Sequence, residues 1–157
     1  MPKIDIDAAP TKHGTAYPSP LDEPCRARQR WKLGDAAGLT QFGVNLLRLP
    51  DGAWSSQRHW HTAEDEFVWV VEGEVVLIDD GGETVLRAGE GAGFKAGEAN
   101  GHHIVNRSGR EAVLLEVGSR RPGEDAADYP DVDLHWDGQA YRHKDGRLYK
   151  TDRKRVY

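Results

Sequence analysis

From Leu39 to Gly118 the chain is a succession of short apolar runs, none longer than eleven residues, each closed by turn-forming residues. The runs are LTQFGVNLLRL, SSQRHWH, EFVWVVEG, EVVLID, ETVLR, HHIVN and EAVLLEVG, and the punctuation is PDG, DDGG, RAGEGAG, KAGEANG and RSGR. Several runs are rich in Val and Ile, and none sustains a 3.6-residue period, so the region is read as all-β. DDGG is the clearest hairpin, because Asp and Gly tolerate the positive φ of tight β turns. Strands at this spacing close into a barrel or a two-sheet jelly roll, since open edges invite pairing with other chains.

The flanks have a different texture. Residues 1–38 are rich in Pro, Gly and charge, with YPSPLDEPCRARQR at their centre, and are expected to form an N-terminal arm rather than core. After Gly118, RPGEDAADYPDVDLHWDGQ reads as an extended strap, and YRHKDGRLYK as a hairpin turning at Asp145 and Gly146. Segment 119–157 is therefore expected to pack on or beside a barrel formed by 39–118. A chain of 157 residues has the size of one domain with one core.

Charge and composition exclude several classes. The net charge of -5 is mild and asks for neither nucleic acid nor an anionic membrane. Residues 142–157 hold seven basic and two acidic side chains, a local excess best read as a solvated tail. No stretch approaches the roughly 18 to 20 apolar residues of a membrane span, and MPKIDIDAAP lacks the apolar run of a signal peptide, so a cytoplasmic protein is expected. Cys25 is the single cysteine, which rules out a disulfide within the chain and fits a reducing compartment. Beside Pro24 and Arg26 it reads as a packing or surface residue.

The stretch HWHTAEDEF, residues 59–67, carries the chemistry. In a strand His59 and His61 share a face while Trp60 points away. If TAED turns and EFVWVV returns beside it, Glu66, Val68 and Val70 face the same interior. Two imidazoles and a carboxylate converging there suit a divalent first-row metal. In GHHIVN, His102 shares a face with Ile104 and Asn106, so it can enter the interior as a fourth ligand while His103 faces away. Such a set leaves open coordination positions, as a reactive site does and a closed structural site does not. Glu64 is the rival of Glu66, and His103 that of His102. Ser55 and Gln57 share the parity of His59 and are expected either to line a small-molecule pocket or to fill the barrel. Asn106 reads as a strand support. Phe67, Trp69 and Val71 form an outward apolar row that needs cover from the arm or from another subunit.

Two segments together resemble the cupin motifs. GAWSSQRHWHTAEDEFVWVVEG, residues 52–73, is similar to the first, with a glycine, His-x-His, a glutamate five residues on and a closing glycine. GEGAGFKAGEANGHHIVN, residues 89–106, is similar to the second, although Lys95 stands where that motif has proline and two extra residues precede His102. The resemblance implies a double-stranded β-helix, or jelly-roll barrel. It also implies a metal held by His59, His61, Glu66 and His102, and a homodimer. Iron, manganese, nickel, cobalt, copper and zinc all suit three nitrogens and one oxygen. Cupins include dioxygenases, isomerases, decarboxylases, lyases and proteins that only bind small molecules, so the reaction stays open, and no general base stands apart from the ligands in the sequence. The leading expectation is a metal-dependent enzyme, dioxygenase-like or of another cupin chemistry, acting on a small oxygen-bearing organic molecule. A non-catalytic small-molecule-binding or regulatory module is the alternative.

Overall fold

The computed structural model describes residues 3–150, so the basic tail beyond Lys150 lies outside the described residues. The arm contributes β1 (Thr11–His13) and β2 (Gln29–Lys32), followed by one helical turn, α1 (Leu33–Ala36). The barrel segment holds β3 (Phe42–Leu49), β4 (Trp60–His61), β5 (Glu66–Glu72), β6 (Glu74–Asp79), β7 (Gly82–Arg87), β8 (Gly91–Phe94), β9 (His103–Val105) and β10 (Ala112–Ser119). The strap adds β11 (Ala127–Tyr129), β12 (Leu134–Trp136) and β13 (Tyr141–Arg142).

These strands form a six-stranded sheet, β1-β2-β3-β10-β5-β8, a three-stranded sheet, β7-β6-β9, and a four-stranded sheet, β13-β12-β11-β4. The assigned strand pairs are antiparallel. Alternation sends Leu47 and Leu49 of β3, Val68 and Val70 of β5 and Ala112 and Leu114 of β10 inward, where they meet Val75, Leu86 and Ile104 from the other sheet. A second cluster, Ala127, Tyr129 and Leu134, lies under the strap and packs against Tyr17 and Leu21 of the arm. Cys25 is fully buried.

Local chemistry explains the turns. DDGG joins β6 to β7 as the sequence predicts, with Asp79 opposite Gly82. Gly73 carries the chain from one sheet to the other at φ +87°, where a Cβ would approach Ala112 Cα to 3.1 Å. In the hairpin after Tyr141, Gly146 donates to the His143 carbonyl, and Tyr149 donates to the Tyr141 carbonyl.

Two features depart from the sequence reading. GAGF, whose first three residues end the punctuation RAGEGAG of the sequence reading, is strand β8, paired with β5. Its glycines sit beneath the outward Phe67 and Trp69 rings, and a Cβ on Gly91 would meet the Val68 carbonyl oxygen at 2.5 Å and the Trp69 ring at 2.9 Å. SSQRHWH is extended only at its end. Ser55 donates to the Ile104 carbonyl and His59 to that of His102, so the three residues between them face His103 alone and the chain bulges across 56–58. The arm, for its part, extends the large sheet beyond β3 and leaves Phe67, Trp69 and Val71 outward and 41–50% exposed.

Candidate metal centre

Each site residue is fixed by a strand end or bridge. Glu66 opens β5 between Phe94 of β8 and Gly118 of β10. His61 is in β4, held to Ala127 of the strap. His59 and His102 form an isolated antiparallel bridge. The large sheet, the strap sheet and the segment leading into β9 thus deliver their side chains to one point.

The three imidazoles turn the same edge toward one carboxylate oxygen. Glu66 Oε2 lies 3.6 Å from His59 Nε2, 3.7 Å from His61 Nε2 and 2.9 Å from His102 Nε2. His59 Nδ1 donates to the Gln57 carbonyl at 2.9 Å, and His61 Nδ1 donates to Asp125 Oδ2 at 2.6 Å. With their protons on Nδ1, both rings present an Nε2 lone pair to the carboxylate. Facing lone pairs and a carboxylate repel unless a cation sits among them, so the donor set suits a metal. His59, His61 and Glu66 offer ligand atoms within 4.8 Å of one another. His102 closes the fourth side, its ring stacked on Phe94 at 3.5 Å and 2° and its buried Nδ1 without a hydrogen-bond partner.

The electrostatics agree. Burial pushes the His59 imidazole down to about 4, against the attraction of Glu66, so it is neutral near pH 7. Burial also lowers His61, but Glu66 and Asp125 outweigh it and the net shift is upward. Burial alone would raise Glu66, yet the His102 hydrogen bond and the neighbouring His59 and His61 rings hold its carboxyl well below the usual range.

The rivals are placed as well. His103 Nδ1 bonds the Ser56 carbonyl at 3.1 Å, and its ring meets Trp54 edge-on at 4.7 Å, away from the cluster. Glu64 and Asp125 also lie within 4.8 Å of His61. Both Asp125 oxygens, however, are engaged by His61, Ala63 N–H and Glu64 N–H. Ser55 is buried and lines the cavity above the cluster, its Oγ accepting from Ile104 N–H. Gln57 donates its amide to the Leu21 carbonyl at 2.7 Å and does not line that cavity, because the bulge breaks the parity that linked it to His59. Asn106 is fully buried and donates to the Leu49 and Arg110 carbonyls, a strand support.

The cavity measures about 400 Å³ and includes residues that sequence reasoning missed. Tyr17, Arg28 and Arg30 come from the arm, and Tyr129, Trp136 and Tyr141 from the strap. Tyr129 stacks on His59 at 5.5 Å, and Tyr17 meets Tyr129 edge-on at 5.7 Å. Burial raises both phenols and keeps them protonated. No spacing rule links these residues to HWHTAEDEF; the available signal was the aromatic content of the strap, with Tyr129, Trp136 and Tyr141.

Antiparallel sheets closed round three imidazoles and a carboxylate define a jelly-roll protein of the double-stranded β-helix type, with a candidate metal centre inside. Residues 45–118 match the family model of the cupin domain. A sugar phosphate isomerase of the cupin superfamily from Silicibacter pomeroyi is 45% identical in its crystal structure, with 96% of this chain and 98% of that one covered and a TM-score of 0.88. The chain belongs to the cupin superfamily. A candidate sugar phosphate isomerase from Acidithiobacillus ferrooxidans is 28% identical over 83% of this chain and 80% of that one, with a TM-score of 0.67. A polyketide cyclase from Streptomyces resistomycificus shares the fold at 19% identity and a TM-score of 0.61, covering 78% and 82% of the two chains. No curated protein matches the chain in sequence. Among the described residues no helix is long and apolar enough to cross a membrane.

Proposed function

We propose that the protein is a metal-dependent cupin enzyme that isomerises a sugar phosphate, interconverting aldose and ketose forms. The observation that carries this reading is the convergence of three Nε2 atoms on Glu66 in a polar cavity that also holds a carboxylate outside the ligand set, Glu64. The likeness to the Silicibacter isomerase over nearly the whole of both chains supports it, and favours isomerisation over the dioxygenase-like chemistry considered from sequence.

His59, His61, Glu66 and His102 would hold the ion. Once bound, a divalent metal there supplies a Lewis acid for the sugar carbonyl and its neighbouring hydroxyl. Glu64 accepts the Arg121 N–H at 2.6 Å through Oε1, which orients its carboxylate in the cavity wall. As general base it removes the proton from the carbon beside the carbonyl and delivers it to the carbonyl carbon, while the hydroxyl proton of the first carbon passes to the former carbonyl oxygen, so no atom is gained or lost. Tyr17, kept protonated by burial, donates a hydrogen bond to a sugar hydroxyl, and Tyr129 holds the Tyr17 oxygen in place. A cytoplasmic location and a homodimer joined through the Phe67, Trp69 and Val71 face belong to the same proposal.

The test is proton exchange. Protein of measured metal content is incubated with aldose phosphates in D2O and followed by NMR. We expect deuterium to enter the carbon beside the carbonyl, and ketose to appear. Glu64→Gln should stop exchange and keep the metal, while His61→Ala should lose both. A metal-loaded protein that exchanges no sugar phosphate would favour the small-molecule-binding or regulatory module instead.

A further inference from the structure

The cavity carries more positive charge than its own acids neutralise. Of its guanidinium groups, Arg30 is closed by Glu116 through two bonds of 2.6 and 2.8 Å, and Arg120 pairs with Asp35. Arg28 differs. It is 5% exposed, and Nε donates to the Gly14 carbonyl at 3.0 Å. Among the described residues no carboxylate forms an ion pair with it, its side-chain hydrogen bond is the one from Nε, and its guanidinium lines the cavity. Burial, and after it the like charge of Arg30, bear against the ionised form. A buried guanidinium held by one carbonyl at its inner nitrogen leaves its fork of donors for an anion.

The surroundings define where that anion sits relative to the metal centre. Arg28, just before β2, and Arg30 within it both line the cavity, and Tyr17 is near enough to Arg28 to feel its charge. Tyr17, Tyr129 and His59 then make a chain of ring contacts from the arm to the cluster. A molecule with an anion at one end and a carbonyl at the other fits this line, with hydroxyls between.

We propose that Arg28 is the subsite for the phosphate end of the substrate, placing the carbonyl end at His59, His61, Glu66 and His102. This rests on the isomerase reading for the identity of the substrate, and on Arg28 alone for the anion. The arm thereby supplies specificity, and the barrel supplies the metal.

The test uses the full chain and inorganic phosphate as probe, by titration calorimetry, with acetate as the competing class of anion. We expect one phosphate per chain, affinity lowered at least tenfold in Arg28→Gln and by less in Arg28→Lys, and metal content unchanged in both. Phosphate binding should persist in His61→Ala, which separates this subsite from direct phosphate coordination by the metal. Should His61→Ala lose phosphate while Arg28→Gln keeps it, the assignment is overturned. Acetate binding with the Arg28 dependence that phosphate lacks would also overturn it, in favour of a carboxylate substrate. If Arg28→Gln fails to fold, Arg28→Lys decides: wild-type phosphate affinity in that variant counts against the guanidinium fork. Arg28-dependent phosphate binding without sugar phosphate turnover would leave the subsite standing and overturn the isomerase reading alone.

Discussion

Asp125 Oδ2 accepts the Nδ1–H of His61 at 2.6 Å, joining the strap to the metal centre across 64 residues of sequence. Its other oxygen takes the N–H groups of Ala63 and Glu64, so one carboxylate sets both the tautomer of His61 and the turn that leads to Glu66. Carboxylates behind metal-bound imidazoles usually contribute about 10- to 100-fold in affinity. We predict that Asp125→Ala weakens metal binding by about that factor. Competition with a chelator measures it, and unchanged affinity would show that β4 alone orients His61.

The cluster should couple metal to stability. An ion that binds only the folded chain stabilises it by about 2.7 kcal/mol at a hundred times Kd. For a domain of this size that is a rise in melting temperature of about 5 to 10 °C. Glu66→Gln should abolish the rise, because it removes the one anionic ligand. Equal metal-induced shifts in the two proteins would place the ion elsewhere.

Acid should destabilise the metal-free protein through His59. Its folded value is about 4 against 6.5 for an ordinary imidazole. Between those limits the unfolded chain binds more protons, so stability falls as pH drops through the window. Glu66, depressed in the fold, adds stability that is present above the usual carboxylate range and is lost below it. His61 acts in the opposite sense, since its raised value favours the fold on the acid side and is lost as pH rises through it. Urea midpoints between pH 6.5 and 4.5 should therefore fall less steeply in His59→Gln than in wild type. A slope as steep in the variant would assign the titration to another group.

Much of this site was legible because its geometry is local. Alternation in a strand is enough to bring His59 beside His61 and to separate Val68 and Val70 from Phe67, Trp69 and Val71. The parity of GHHIVN likewise separates His102 from His103. Parity fails where the backbone is not extended, and Gln57 sits in the bulge before His59. It is silent on contacts between distant segments, which is why Asp125, Tyr129 and Arg28 could not be placed from sequence. GAGF escaped for a different reason, since its strand character comes from the aromatic rings of β5 lying over it rather than from its own side chains.

The proposed homodimer makes a prediction about the outward row of β5. Phe67, Trp69 and Val71 are large apolar residues left in contact with water, and a second copy laying the same face against them would remove that surface. Light scattering after gel filtration should give a mass near twice the 17.5 kDa of one chain. Val71→Asp should return it to one chain without touching the cavity. A monomeric wild type would leave the row with no role beyond covering β8.

That covering role can be tested separately at the two glycines of β8. A Cβ on Gly91 would lie 2.5 Å from the Val68 carbonyl oxygen, and backbone cannot step aside as a flexible side chain can. On Gly93 the nearest atoms are 4.0 Å away, an ordinary contact. Gly91→Ala should therefore cost about 1 to 3 kcal/mol, as overpacking does. Gly93→Ala should be neutral or stabilise by up to about 1 kcal/mol, since alanine loses less backbone freedom in a strand. Displacement of β8 also moves Phe94, whose ring lies flat on His102, so metal affinity should fall with stability in Gly91→Ala and hold in Gly93→Ala. Urea denaturation and chelator competition on the two variants check both statements. Equal stabilities would show that β8 is not clamped by Trp69, while a destabilised Gly91→Ala with full metal affinity would show that His102 keeps its place without Phe94.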